Sequence, residues 1–179
     1  MQSTLQPTFA RLTIRPMMMD DLETVVAIDQ MSFTTPWPAN SYRYELLENQ
    51  ASRSWVAEVY PQGGKPEVVG MVVTWLIEDE AHIATIAVHP AHRGSGIGKQ
   101  LLLTVLRECA DRDVHIVTLE VREHNEVAIS LYHQFGFEVV GRRRGYYKDT
   151  GEDALIMTHV VNQRFNESTN QRFNGIVTQ

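Results

Sequence analysis

The stretch IATIAVHPAHRGSGIGKQLLLTVL, residues 83–106, decides how the rest of the chain is read. Ile83, Ala84, Ile86, Ala87 and Val88 form a short apolar run that reads as a strand, closed by Pro90, which has no backbone N–H to offer a neighbour. Gly94, Gly96 and Gly98 then alternate with Ser95 and Ile97. From Gly98 apolar residues recur at Leu101, Leu102, Val105, Leu106 and Cys109, the spacing of one helix face. Strand, glycine turn and helix in this order predict a grip for phosphate. The turn bares several N–H groups without Cβ obstruction, at the positive end of the helix dipole. An ordinary strand-to-helix turn has little use for three glycines in five residues, since each weakens the helix start and contributes no packing.

Two familiar phosphate-binding spacings fail. A P-loop needs a glycine five residues before Gly98, where Arg93 stands, and Ser or Thr after Lys99, where Gln100 stands. The dinucleotide fingerprint puts its third glycine on Lys99 when counted from Gly94 and on Leu101 when counted from Gly96, which weighs against a dinucleotide-binding domain. The turn does match Arg/Gln-x-x-Gly-x-Gly/Ala, read as Arg93, Gly94, Ser95, Gly96, Ile97 and Gly98, and so resembles the signature of the GCN5-related N-acetyltransferases. The resemblance implies that this turn, with Lys99, holds the pyrophosphate of acetyl-coenzyme A, and that Ile86, Ala87 and Val88 pair with its pantetheine arm.

A second stretch carries the candidate chemistry. On HIVTLEVR, residues 115–122, alternation puts Ile116, Thr118 and Glu120 on one face and Val117, Leu119 and Val121 on the other. Asn125 suits the N-cap of a following helix and Gly136 its stop, while Ala128, Leu131, Tyr132 and Phe135 share a face. That spacing allows a carboxylate near a strand end and a tyrosine on the next helix to face one cleft. Spacing alone favours a solvated Glu120 and a core Tyr132. However, LEVREHNEVAISLYHQFGF, residues 119–137, resembles the second signature of the RimI-type branch, the ribosomal-protein alanine N-acetyltransferases. That resemblance implies Glu120 as general base, Tyr132 as general acid and Asn125 as a coenzyme A ligand. Pro36 and Trp37 resemble the branch's Pro-Trp loop and RRGYY, residues 143–147, its basic-aromatic strand, which implies an acceptor wall of Pro36, Trp37, Tyr146 and Tyr147. Glu152, Asp153, Ala154 and Met157 resemble its closing strand, and Gly145 stands where the branch commonly has Asn.

Composition narrows the partners. With 179 residues and 43% hydrophobic content, one domain can bury a substantial core. Twenty-two acidic residues against 16 basic ones leave a formal charge of -6, which argues against nucleic acid and favours a basic peptide. The single Cys109 excludes an internal disulfide and a cysteine zinc cluster, in keeping with a reducing compartment, and its place on an apolar helix face makes it core. His89 and His92 lack companion ligands, so no metal is expected. Arg142, Arg143, Arg144 and Lys148 read as a solvated edge. With neither a membrane span nor a signal peptide in view, the expected location is cytoplasmic.

Periodicity then predicts the elements: a strand from Leu12; helices from about Asp20, carrying Leu22, Val25, Val26, Ile28 and Asp29, and over 39–49; strands at 55–60 and 68–77; a turn at 78–80; the central strand and helix; a strand at 114–121; a helix at 126–135; and strands at 137–147 and 154–161. The expected fold is α+β, a single GNAT-like domain with a mixed, mostly antiparallel sheet flanked by helices. Residues 1–11 are expected as an N-terminal extension, 12–161 as the N-acetyltransferase domain, and 162–179, where NQRFN occurs twice, as a polar disordered tail.

The function expected is direct transfer of acetyl from acetyl-CoA to the α-amine of a protein N-terminus. The resemblance implies alanine of a small-subunit ribosomal protein. An α-amine with a pKa of about 7.7–8.0 is neutral in roughly a tenth of molecules at pH 7, against about one in 2,500 for a lysine near 10.4. The alternatives are a lysine or small-amine acetyltransferase of the same fold and a non-catalytic CoA-binding module. Oligomeric state is not legible in the sequence.

Overall fold

A strand and two helices begin the chain, which this computed structural model describes over residues 9–161; most of the expected extension, 1–8, and the expected tail, 162–179, lie outside the described residues. In order come β1 (Arg11–Pro16), α1 (Leu22–Ser32), α2 (Ala39–Leu47), β2 (Ser52–Tyr60), β3 (Glu67–Ile77) and β4 (Glu80–Val88). Then follow α3 (Ile97–Asp111), β5 (Ile116–Arg122), α4 (Glu126–Gln134), β6 (Glu138–Tyr147) and β7 (Glu152–Val160). The strands make one seven-stranded sheet in the order β1-β2-β3-β4-β5-β7-β6. The β1–β2, β2–β3, β5–β7 and β6–β7 pairs are antiparallel. Just ahead of β5, the His115 N–H donates to the carbonyl of Asp79 at 2.7 Å, so β4 and β5 start side by side, and α3 is the crossover that such a parallel pair requires. The sheet is therefore mixed and mostly antiparallel.

The chain divides into two compact units. The first comprises Met1–Trp75 and Ile83–Leu103. In it Val25 and Ile28 of α1, Tyr42 of α2, and Val56, Met71 and Val73 of the sheet are fully buried. Within β3, residues 69–74 are all buried, a continuous run rather than an alternation, because both faces of this inner strand are covered. Gly70 sits where a Cβ would meet the Ala87 carbonyl, Ile97 Cγ2 and Leu101 Cδ1, each at 3.2 Å, so its missing side chain lets the start of α3 lie directly on the sheet.

The second unit comprises Leu76–His82 and Thr104–Gln179. Here β5 alternates as its sequence predicts, with Val117, Leu119 and Val121 buried together with Phe135, Phe137 and Met157.

Element ends move by one to three residues, the most at β2, which starts at Ser52, and at β4, which starts at Glu80, inside the expected turn. A 3-10 turn over Met19–Asp21 precedes α1, where the Asp21 carboxylate takes the Met18 N–H at 2.7 Å and so delays the helix proper to Leu22. β7 starts at Glu152, two residues before the apolar pattern does, because Glu152 pairs with Tyr147. Among the described residues no helix is long and apolar enough to cross a membrane.

Candidate active site

β4 ends in a 3-10 turn over Pro90–His92, and α3 begins at Ile97, one residue ahead of the predicted start. Between them Gly94 and Gly96 adopt φ of 78° and 85°, left-handed backbone that glycine enters without the cost a Cβ imposes. Nothing lies within 4 Å of where a Cβ on either would stand, so the turn is open to a ligand. Ile97, Gly98 and Lys99 form the first helical turn, whose N–H groups have no partner inside the helix. The first intrahelical contact here runs from the Gln100 N–H to the Gly96 carbonyl at 3.2 Å.

Two side chains of the motif are used inward. Arg93 donates to the Val88 carbonyl at 3.1 Å and to Ser32 Oγ at 3.2 Å, tying the end of β4 to α1, and Ser95 donates to the His92 carbonyl at 2.5 Å. What the turn offers an anion is therefore backbone N–H, with Lys99 exposed beside it. Ala87 is buried, whereas Ile86 and Val88 stay partly accessible on the other face of β4. His89 accepts the Ala91 N–H at 3.2 Å and caps the 3-10 turn.

In the second unit Glu120 is neither solvated nor alone. Its side chain is 13% exposed, with Oε2 3.1 Å from His82 Nε2 and Oε1 3.2 Å from Arg143 Nη1. Tyr132 is buried, and its ring packs on Phe137, which packs on His159 at 5.3 Å. His159 pairs with Val117, which belongs to the face of β5 opposite Glu120. Tyr132 thus approaches that face through Phe137, while Glu120 stands on the other face of the strand. Burial pushes the Tyr132 phenol well above its usual range, with the Tyr147 hydroxyl adding to it. Tyr147 itself is pushed up to about 12 by burial, against the opposing Arg122 cation, with Tyr146, Glu120 and Glu152 adding. Tyr147 therefore lies within electrostatic reach of both Tyr132 and Glu120.

The β6–β7 hairpin shapes the aromatic wall. Its register slips between Arg143 and Tyr147, where Gly145 has φ of 55° and donates its N–H to Asp153 Oδ1 at 2.7 Å. Gly enters this left-handed backbone most readily, and Asn is among the few other residues that visit it. Tyr146 and Tyr147 meet edge to face at 5.2 Å, and the Arg122 guanidinium lies 3.9 Å over the Tyr147 ring. Arg142 contacts Glu123 at 2.6 Å and Asp153 at 3.3 Å, so this strand is cross-linked by ion pairs and is not the purely solvated edge its charge run predicts.

A family profile described as Acetyltransferase (GNAT) family matches residues 22–137. The chain belongs to that family. A relative from Bacillus subtilis (strain 168) is 37% identical over 153 residues, covering 86% of this chain and 98% of its own. The Escherichia coli (strain K12) [ribosomal protein bS18]-alanine N-acetyltransferase is 34% identical over 147 residues, covering 81% and 95%. The crystal structure of the ribosomal-protein-S18-alanine N-acetyltransferase from Escherichia coli superposes with a TM-score of 0.75 at 30% identity, over 85% of this chain and 95% of that one. Arabidopsis thaliana NAA60 in complex with acetyl-CoA shares the fold at TM-score 0.73 and 22% identity, over 85% and 99%. The protein is an acyltransferase of the GNAT fold.

In this GNAT chain the Pro36–Trp37 segment is anchored by a residue that sequence reading passes over. Asp29, 1% exposed on α1, accepts from the Trp37 N–H and from the Tyr42 hydroxyl, both at 2.7 Å. Trp37 also stacks on Trp75 at 6.4 Å, and Trp75 donates to the buried Glu45 at 2.9 Å. An acidic residue in the middle of an apolar helix pattern is the signal that points to Asp29. Asn125 is exposed and its Oδ1 caps α4 by accepting the Ala128 N–H at 3.2 Å. Cys109 is fully buried and its thiol is pushed up to about 12 by burial and by Glu108, so it is not a thiolate nucleophile at neutral pH.

Proposed function

We propose that this chain moves acetyl from acetyl-CoA to the α-amine of a protein N-terminus, the acceptor being the alanine of the small-subunit ribosomal protein bS18. Residues 12–161 form the N-acetyltransferase domain, and the enzyme works in the cytoplasm. The observation that carries the reading is Glu120: a largely buried carboxylate held at both oxygens, in a chain whose relatives are named for this reaction.

Acetyl-CoA is bound through the amides around Arg93, Gly94, Ser95, Gly96, Ile97, Gly98 and Lys99, with Ile86, Ala87 and Val88 along the pantetheine and Asn125 as a further ligand. Pro36, Trp37, Tyr146 and Tyr147 line the acceptor. Glu120 takes a proton from the ammonium, directly or through a water, and the freed amine attacks the thioester carbonyl. The tetrahedral intermediate then expels coenzyme A, and Tyr132 protonates the departing sulfur. A phenol carries its proton at neutral pH and so is available as the donor. The buried, neutral Cys109 favours direct transfer over an acetyl-cysteine intermediate.

The test is one alanine-initiated peptide with an internal lysine, supplied with a free or a formylated N-terminus and acetyl-CoA, and sequenced by fragmentation. Label on the α-amine of the free peptide alone is expected. Label on the lysine in both forms overturns the N-terminal assignment, and binding of acetyl-CoA without transfer marks a non-catalytic module.

A further inference from the structure

Glu120 is gripped from two other strands. His82 reaches Oε2 from the start of β4, and Arg143 reaches Oε1 from β6 at the last regular pair before the register slips. The carboxylate in the middle is 13% exposed, while the His82 and Arg143 side chains are 31% and 52% exposed, so the donors close in on a shielded acceptor from the rim. One nitrogen in contact with each oxygen restrains the rotation of the carboxylate plane. That rotation decides which lone pair is presented to an incoming ammonium. The Arg143 guanidinium also lies 5.3 Å over the Tyr146 ring, so the same side chain touches the base and a residue of the proposed acceptor wall.

We infer that His82 and Arg143 are positioning residues for acyl transfer: together they set the orientation of Glu120, and Arg143 links that orientation to Tyr146 and hence to acceptor binding. The inference rests on Glu120 being the base. No proton passes through either residue in this scheme; each holds the carboxylate as a partner at ion-pair distance.

Ion pairs this exposed often contribute little, so the test has to separate orientation from simple structural support. It is a double-mutant cycle on the full chain, with acetyl-CoA and an alanine-initiated peptide as substrates. Glu120→Gln is expected to lower kcat by about 10²-fold or more. His82→Ala should lower kcat by about tenfold without changing KM for acetyl-CoA, and His82→Gln, which keeps an N–H at the same reach, should recover most of the loss. Arg143→Ala should lower kcat and also raise KM for the peptide. In the Glu120→Gln background neither alanine variant should lower kcat further, because a missing base has no orientation to lose. Full kcat in both single variants, or the same fold loss with and without Glu120, overturns the inference while leaving the base in place. Full activity of Glu120→Gln itself removes the base assignment, and the inference falls with it.

Discussion

The Tyr42 hydroxyl and the Trp37 N–H both donate to the carboxylate of Asp29, one to each oxygen at 2.7 Å, so a buried acid on α1 holds the segment that leads into α2. Burial raises the Asp29 pKa, and its two donors oppose that rise. In Asp29→Asn one oxygen is replaced by an N–H group that faces a donor. Urea titration should show a loss of about 1–3 kcal/mol, the cost of a buried polar group left unmatched. KM for the peptide should rise, with KM for acetyl-CoA unchanged. Unaltered stability would show that the carboxylate is not what holds Trp37.

Tyr132→Phe keeps the ring against Phe137 and removes the hydroxyl alone. A turnover loss of about 10²-fold or more is expected, with the acetyl-CoA dissociation constant from calorimetry nearly unchanged. Full turnover would leave Tyr132 as a packing residue only.

At Gly94 and Gly96 the constraint is backbone shape and not room, since no atom lies within 4 Å of either missing Cβ. Alanine at either position should strain the turn by about 1–2 kcal/mol and weaken acetyl-CoA binding. In the unaltered chain, acetyl-CoA at 100 times its dissociation constant should add about 2.7 kcal/mol, or about 5–10 °C in Tm. NADH at equal concentration should do little. A thermal shift that favoured NADH would remove the coenzyme assignment.

Acid stability should centre on Arg15, which contacts Asp21 and Glu58 at 2.8 Å each. Asp21 is raised by burial but pulled lower overall by Arg15 and the Met18 N–H; Glu58 is lowered by the Tyr60 hydroxyl and by Arg15. Both folded values lie below the unfolded ones of about 3.9 and 4.3, so the stability they supply is complete above those values and is lost as pH falls through the folded ones. Arg15→Ala should therefore move the acid-unfolding midpoint, followed by circular dichroism, to higher pH. An unmoved midpoint would mean that other carboxylates govern acid unfolding.

Local signals carry the parts of this protein that are legible in its sequence. The glycine turn shows because each glycine answers to a few neighbouring residues, and the face Glu120 takes on β5 shows because a strand alternates strictly. His82 and Arg143 do not show, since each comes from a different strand and only sheet order brings them to Glu120. The packing of Tyr132 against Phe137 depends on which face of the sheet α4 covers, and helical period says nothing of that. Asp29 hides among Val25, Val26 and Ile28 because its partners, Tyr42 and the Trp37 N–H, belong to later segments.

Gly70 gives the anion grip a second point of control. The first turn of α3 rests on the space a missing methyl leaves at residue 70, with Ile97 and Leu101 filling it from above. A single added carbon there would press on Ile97, Leu101 and the Ala87 carbonyl, which would have to give by a few tenths of an ångström at the foot of that turn. If the glycine turn holds the coenzyme as proposed, a substitution beneath the sheet surface that touches no ligand atom should change its affinity, much as shimming one foot of an instrument re-aims its barrel.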